Sequence, residues 1–174
     1  MSALELVDIV DENNEVIKTV TRKEMREGKL PHRACYIALC DRQGRFLVEV
    51  RTLSKDYAPG KFDVCIGGVL QHGEDLLEGA KRELQEEVGV DANQIEFEFL
   101  GVKKIPYQDG VHFLMAYLYF ARGDSLTIRQ KTEVSGIMYL SEEEVRKLAS
   151  NTTYDAMDAF NSILQKAKAR GFYQ

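Results

Sequence analysis

Glu83, Glu86 and Glu87 stand at i, i+3 and i+4. On a helix that spacing confines them to an arc of about 100°, a single face. Leu77, Ala80, Leu84 and Val88 recur at helical spacing on another face, so Asp75–Val88 is the clearest helix in the chain, and Gly89 fits its stop. From Glu74 to Glu87 there are six acids and two bases, a local charge of −4 out of −5 for the whole chain. A solvated helix face with an Arg82–Glu86 pair is the plain reading, but it leaves two features unexplained. Like charges at i,i+4 repel by about 0.2–0.5 kcal/mol. Acids also crowd the last turns, where the helix dipole favours cations. A divalent cation reverses both penalties, since carboxylates on one face are hard oxygen ligands suited to Mg²⁺ or Mn²⁺.

The remaining elements must position that helix. Leu6–Val10 and Val16–Val20 flank the turn cluster Asp11-Glu12-Asn13-Asn14 and predict an N-terminal hairpin. Thr21 suits the cap of a short helix ending at Gly28. Ala34–Cys40, apolar on both faces, reads as a central buried strand, with Phe46–Val50 as its antiparallel neighbour and Phe62–Ile66 as a third strand. Asp109-Gly110 marks a hairpin between Ile95–Ile105 and Val111–Phe120. Val134–Leu140 is the last strand. Ser141 with Glu144 forms a capping box, and a final helix runs over about Tyr154–Arg170. So many hairpins exclude a doubly wound parallel sheet; the fold class is α+β, a mixed sheet packed between helices.

Composition sets the bounds. The 174 residues are 44% apolar and 29% charged, which predicts one soluble domain over residues 1–174. Lys+Arg 23 against Asp+Glu 28 argues against nucleic acid as a partner. No apolar run approaches the roughly 18–20 residues of a membrane span, and the start, Met1 to Glu5, shows no secretion pattern. Cys35, Cys40 and Cys65 are too few for a disulfide scaffold and read as small core residues. A cytoplasmic setting is expected.

Residues 68–90, from Gly68 through Glu74, Arg82, Glu83, Leu84, Glu86, Glu87 and Gly89 to Val90, match the pattern GX5EX7REUXEEXGU at every defined position. With seven positions fixed to one residue type, a chance match is far rarer than roughly one in a million. The chain thus resembles the Nudix hydrolases, whose fold is an α/β/α sandwich with a mixed β-sheet. The resemblance implies that Glu83, Glu86 and Glu87 hold a catalytic Mg²⁺ (Mn²⁺ able to substitute), with the Gly67 carbonyl as a further ligand. It implies that Gly68 lets backbone approach the phosphates, that Glu74 and Arg82 support the site, and that a larger residue at Gly79 would crowd the ion. Glu133 falls where relatives often carry a loop glutamate that binds metal or activates water.

The flanks Leu30-Pro31-His32-Arg33-Ala34, Arg51-Thr52-Leu53-Ser54-Lys55 and Pro59-Gly60 are similar to the branch that contains type 1 isopentenyl-diphosphate isomerase and its YfcD-like hydrolase relatives. Arg51 and Lys55 would then contact the diphosphate, and His32 would face substrate. Isomerase chemistry fails here: Gly67 and Val69 occupy the positions of its cysteine and a metal histidine, and Val111–Phe120 holds no carboxylate. The expectation is a Nudix diphosphohydrolase acting on a nucleotide or other small organic diphosphate, as a monomer or homodimer. The alternatives are an isomerase-like enzyme and a non-catalytic nucleotide-binding module. His72 is expected exposed, His112 in the core, and Lys103, Lys104 and Tyr107 at a sheet rim.

Overall fold

A computed structural model describes residues 4–55, 57–124 and 133–174. The first three residues, on which the reading of the chain start rests, lie outside the described residues. An N-terminal hairpin of β1 (Leu6–Val10) and β2 (Val16–Thr21) leads into α1 (Arg22–Glu27). Thr21 and Glu24 close a full capping box there, as the hydroxyl suggested. The central sheet runs β5 (Phe62–Asp63), β4 (Phe46–Arg51), β3 (Arg33–Cys40), β7 (Phe113–Arg122), β6 (Glu96–Pro106), with β8 (Val134–Leu140) paired to β4. It is mixed: β3 and β7 are parallel, whereas β6–β7, β4–β8 and β4–β5 are antiparallel.

The both-faces-apolar character of β3 has a direct cause. Cys35, Ile37 and Leu39 pack with Ala80, Leu84 and Val88 of α2 (Leu76–Val88). Ala34, Tyr36, Ala38 and Cys40 pack on the other face with Phe160, Ile163 and Leu164 of α4 (Tyr154–Ala169). A short α3 (Glu142–Lys147) starts at the Ser141–Glu144 capping box. All three cysteines are buried free thiols. Among the described residues no helix is long and apolar enough to cross a membrane.

The structure departs from two local readings. The segment 62–66 is a strand only at Phe62–Asp63. β3 and β4 pair at Cys40 and Phe46, and beyond that the 64–70 segment lies along β3 through isolated bridges at Ile37–Ile66 and Ala34–Val69. That irregular run carries Gly67 and Gly68 onto the sheet. On α2, Leu77 is 42% exposed while its neighbour Leu76 packs into the core. The apolar stripe is therefore rotated, and it takes Glu83 and Glu87 beneath the helix with it.

Candidate active site

Helix α2 is fixed at both ends. The Asp75 side chain accepts from the N–H groups of Leu77 and Glu78, each at 3.0 Å, and Gly89 ends the helix at φ +69°. Ala80, Leu84 and Val88 anchor it to the sheet, which leaves Glu83 with 0% exposure and Glu87 with 5%. The sequence placed these glutamates on a face away from the apolar stripe; two of the three are instead buried at its edge. Glu86 remains outside, its side chain 46% exposed.

Arg82 organises the acids. Its guanidinium donates to Glu74 Oε1 at 2.6 Å and Oε2 at 3.1 Å, to Glu83 Oε1 at 2.9 Å and to Glu86 Oε2 at 3.1 Å. The expected Arg82–Glu86 pair is present, but Glu74 and Glu83 share the same cation. Glu74 also accepts from the Gln71 N–H at 3.1 Å and so ties the glycine-rich loop to the helix. A Cβ on Gly79 would stand 2.7 Å from both Glu74 Oε2 and Leu70 Cδ2. The crowding expected there falls on the Glu74 carboxylate and the core, because Gly79 faces inward.

Gly67 has φ +152°, and a Cβ there would lie 2.0 Å from the Cys35 carbonyl oxygen. Only glycine fits so close to β3. The Gly68 carbonyl next to it accepts from the Cys35 N–H at 2.9 Å. The Gly67 N–H donates to Glu87 Oε2 at 3.3 Å.

Glu83 Oε2 is buried with no hydrogen-bond partner. Burial lifts the Glu83 carboxyl to about 7 against the pull of Arg82. Burial, and then the charge of Glu83, also raise Glu87. An unpartnered buried carboxylate oxygen costs roughly 1–3 kcal/mol or more, and carboxylate oxygens are the hard donors that a divalent cation takes. The fit is in donor type and unmet valence. Among the described residues no group of three His, Cys, Asp or Glu side chains is already gathered as a metal shell. Arg82 instead holds one oxygen of each of Glu83 and Glu86.

Lys55 bonds Glu133 and stands 3.9 Å from Glu87 Oε1, so the loop glutamate and the expected phosphate cation do reach this place. Arg51 is committed elsewhere, donating to Asp63 Oδ2 at 2.8 Å and to the Tyr57 carbonyl at 2.8 and 3.2 Å. His32 is 5% exposed, its Nδ1 2.9 Å from the Leu30 carbonyl, and burial lowers it to about 4, so the ring is neutral. His112 is not a core residue: it lies at the hairpin, 2.8 Å from Asp109, because β7 begins one residue later. His72 bonds Asp8 at 2.7 Å, Lys103 bonds Asp158 at 2.7 Å, and Lys104 pairs with Glu12.

Two acids of the sheet, one buried and one partly buried, escaped the sequence reading. Glu49, 3% exposed on β4, has an unpartnered Oε1. Asp63, opposite it on β5, is raised by burial to about 6 despite the Arg51 partner. The signal for Glu49 was present: one acid inside the apolar run Phe46–Val50.

The NUDIX domain model matches residues 30–160. An uncharacterized Nudix hydrolase, YfcD of Shigella flexneri, is 37% identical over 159 residues, 91% of this chain and 86% of that protein. YfcD of Escherichia coli K12 is 36% identical over the same shares of the two chains. Among solved structures, DR0079 of Deinococcus radiodurans has a TM-score of 0.74 at 25% identity, covering 91% of this chain and 99% of that one. The NUDIX domain of Shewanella oneidensis NrtR, complexed with ADP ribose, has a TM-score of 0.63 at 18% identity, covering 87% and 99%, a likeness of fold. The box of residues 68–90, a domain match over most of the chain and near-full-length relatives converge on one conclusion: the chain belongs to the Nudix family, hydrolases acting on pyrophosphate bonds.

Proposed function

We propose that this chain is a Mg²⁺-dependent diphosphohydrolase, with Mn²⁺ able to substitute, cleaving a diphosphate bond in a nucleotide or another small organic diphosphate. The observation that carries this reading is Glu83, fully buried with one oxygen unpartnered beside the buried Glu87. Glu83, Glu86, Glu87 and the Gly67 carbonyl would hold the cation. Bound there, the cation polarises a phosphoryl oxygen and lowers the pKa of a coordinated water.

The protein groups supply orientation and charge. Lys55, its side chain 19% exposed, neutralises a phosphate that draws it from Glu133, and Glu133 accepts a proton from water. Glu86 or Glu87 holds the attacking water by accepting its proton at a carboxylate oxygen. Arg82, Glu74 and Gly79 fix the rotamers of these acids. Gly68 leaves backbone open to the phosphates, and neutral His32 offers substrate an uncharged ring. Arg51 reaches substrate only by leaving Asp63, so its contribution is smaller than that of Lys55.

The N-terminal hairpin and α1 belong to the same domain as the rest, 1–174: the Val10 N–H donates to the Pro31 carbonyl at 3.0 Å and the His72 N–H to the Leu6 carbonyl at 2.8 Å. We place the protein in the cytoplasm, in keeping with three buried free thiols, acting as a monomer or homodimer. The test is release of phosphate or nucleoside monophosphate from a panel of nucleotides, ADP ribose and other nucleotide sugars, thiamine diphosphate and prenyl diphosphates, with and without Mg²⁺. Glu83→Gln and Glu87→Gln are expected to abolish most turnover while the protein stays folded; full activity in both would refute the assignment.

A further inference from the structure

Strand β4 reads Phe46-Leu47-Val48-Glu49-Val50-Arg51, with a carboxylate where an apolar residue belongs. Side chains alternate along a strand. Phe46 and Val48 pack in the cluster on the α4 side and Leu47 in the one on the α2 side, so Glu49 is directed toward α2. It is 3% exposed and its Oε1 has no partner. The nearby cations are engaged by other acids: Arg51 by Asp63 at 2.8 Å, Lys55 by Glu133 and, at 3.9 Å, by Glu87. Burial pushes Glu49 well above the carboxylate range, and the largest charge acting on it is that of Glu87. Glu49 and Glu87 therefore lie on facing elements, β4 and α2, both buried, with Lys55, shared with Glu133, as the one cation paired to Glu87 among the described residues.

A carboxylate so placed needs either a proton or a cation. The second unpartnered buried oxygen among the described residues, Glu83 Oε2, lies one helical turn from Glu87 on the same helix. Both deficits thus border the same carboxylate. We propose that Glu49 is a further ligand of the divalent cation, so that the ion is held between the sheet and α2 rather than by the helix alone. This rests on the reading of Glu83 and Glu87 as the cation centre.

The test titrates the full-length protein with Mn²⁺, following free ion by electron paramagnetic resonance, and measures thermal unfolding with and without Mg²⁺. Glu49→Gln is expected to weaken Mn²⁺ binding at least about tenfold. It should also raise the melting temperature of the metal-free protein, by removing a buried carboxyl that must otherwise take up a proton, and shrink the gain produced by Mg²⁺. Should Glu49→Gln fold poorly, Glu49→Asp retains the carboxyl with a shorter reach and should weaken Mn²⁺ binding without raising the metal-free melting temperature. Unchanged Mn²⁺ affinity in the Glu49 variants, with loss in Glu87→Gln, would overturn this inference alone and leave Glu49 sharing a proton with Glu87. Unchanged affinity in Glu87→Gln as well would overturn the cation centre and this inference with it.

Discussion

The two faces of the central sheet treat their acids in opposite ways: those on the α4 side are partly exposed and paired, those on the α2 side buried and short of partners. On the α4 side Asp155 has both oxygens satisfied, accepting from the Tyr36 hydroxyl at 2.7 Å and the Tyr57 hydroxyl at 3.0 Å. Asp158 is likewise held by Lys103 at 2.7 Å. On the α2 side Glu83 and Glu49 each keep a buried oxygen with no partner. A satisfied acid is explained by the fold it stabilises. An unsatisfied one lowers stability, and its presence points to something that binds. The difference separates structure from function without reference to any relative.

The comparison can be broken in several ways, beginning with the largest expected effect. Gly67→Ala forces a Cβ to within 2.0 Å of the Cys35 carbonyl in a left-handed backbone, and should cost about 4 kcal/mol or more in urea unfolding, at the extreme of single substitutions. A small loss there would mean that the backbone under Glu87 is not as closely held as the structure has it.

A second effect concerns a ring that burial keeps neutral. His32 has its pKa lowered to about 4 by burial, below the 6.5 of the unfolded chain. The unfolded state therefore binds more protons between these values, and stability rises with pH. The contribution is full above about pH 6.5 and is lost as pH falls toward 4, at most about 3 kcal/mol. Urea unfolding across that window should show the slope, and His32→Asn should flatten it.

Glu83→Gln should reduce turnover by about a hundredfold or more, beyond what loss of an outer residue produces, while the melting temperature holds or rises. Asp155→Ala should do the reverse: about 1–3 kcal/mol of stability lost from the orphaned hydroxyl of buried Tyr36, with Mn²⁺ affinity unchanged. If Asp155→Ala weakened Mn²⁺ binding as Glu83→Gln does, the distinction between the two faces would fail. The smallest effect is expected from Arg82→Lys. It keeps the charge but loses the fork that serves Glu74, Glu83 and Glu86 together; stability should fall by about 1 kcal/mol, and turnover by more than that loss alone explains.

Much of this was legible from local pattern. The hairpin signals, the capping boxes at Thr21 and Ser141 and the helix under the 68–90 box all depend on residues close together in the chain, and the structure has them. The family follows from seven fixed positions in the box. Errors arose where a local period had to stand for a tertiary environment. Leu77 fits the stripe by spacing, yet Leu76 meets the core, and that small rotation decides that Glu83 and Glu87 are covered. His112 falls inside an apolar run, but Asp109 holds it at the turn. Phe62–Ile66 has strand composition, but β4 finds its long partner in β8, some ninety residues on, and the strand is cut short.

The sequence by itself determined the carboxylate spacing, the order of strands and helices, and the family, because each is written in residue types at fixed separations. Tertiary structure alone decided which acids are buried and which of those are satisfied. Burial and partnership depend on what a distant segment brings to the same place: Gly67 beside Glu87, Lys55 beside Glu133, and β4 carrying Glu49 under α2. Those distances are set by sheet register and helix rotation, which no local period encodes.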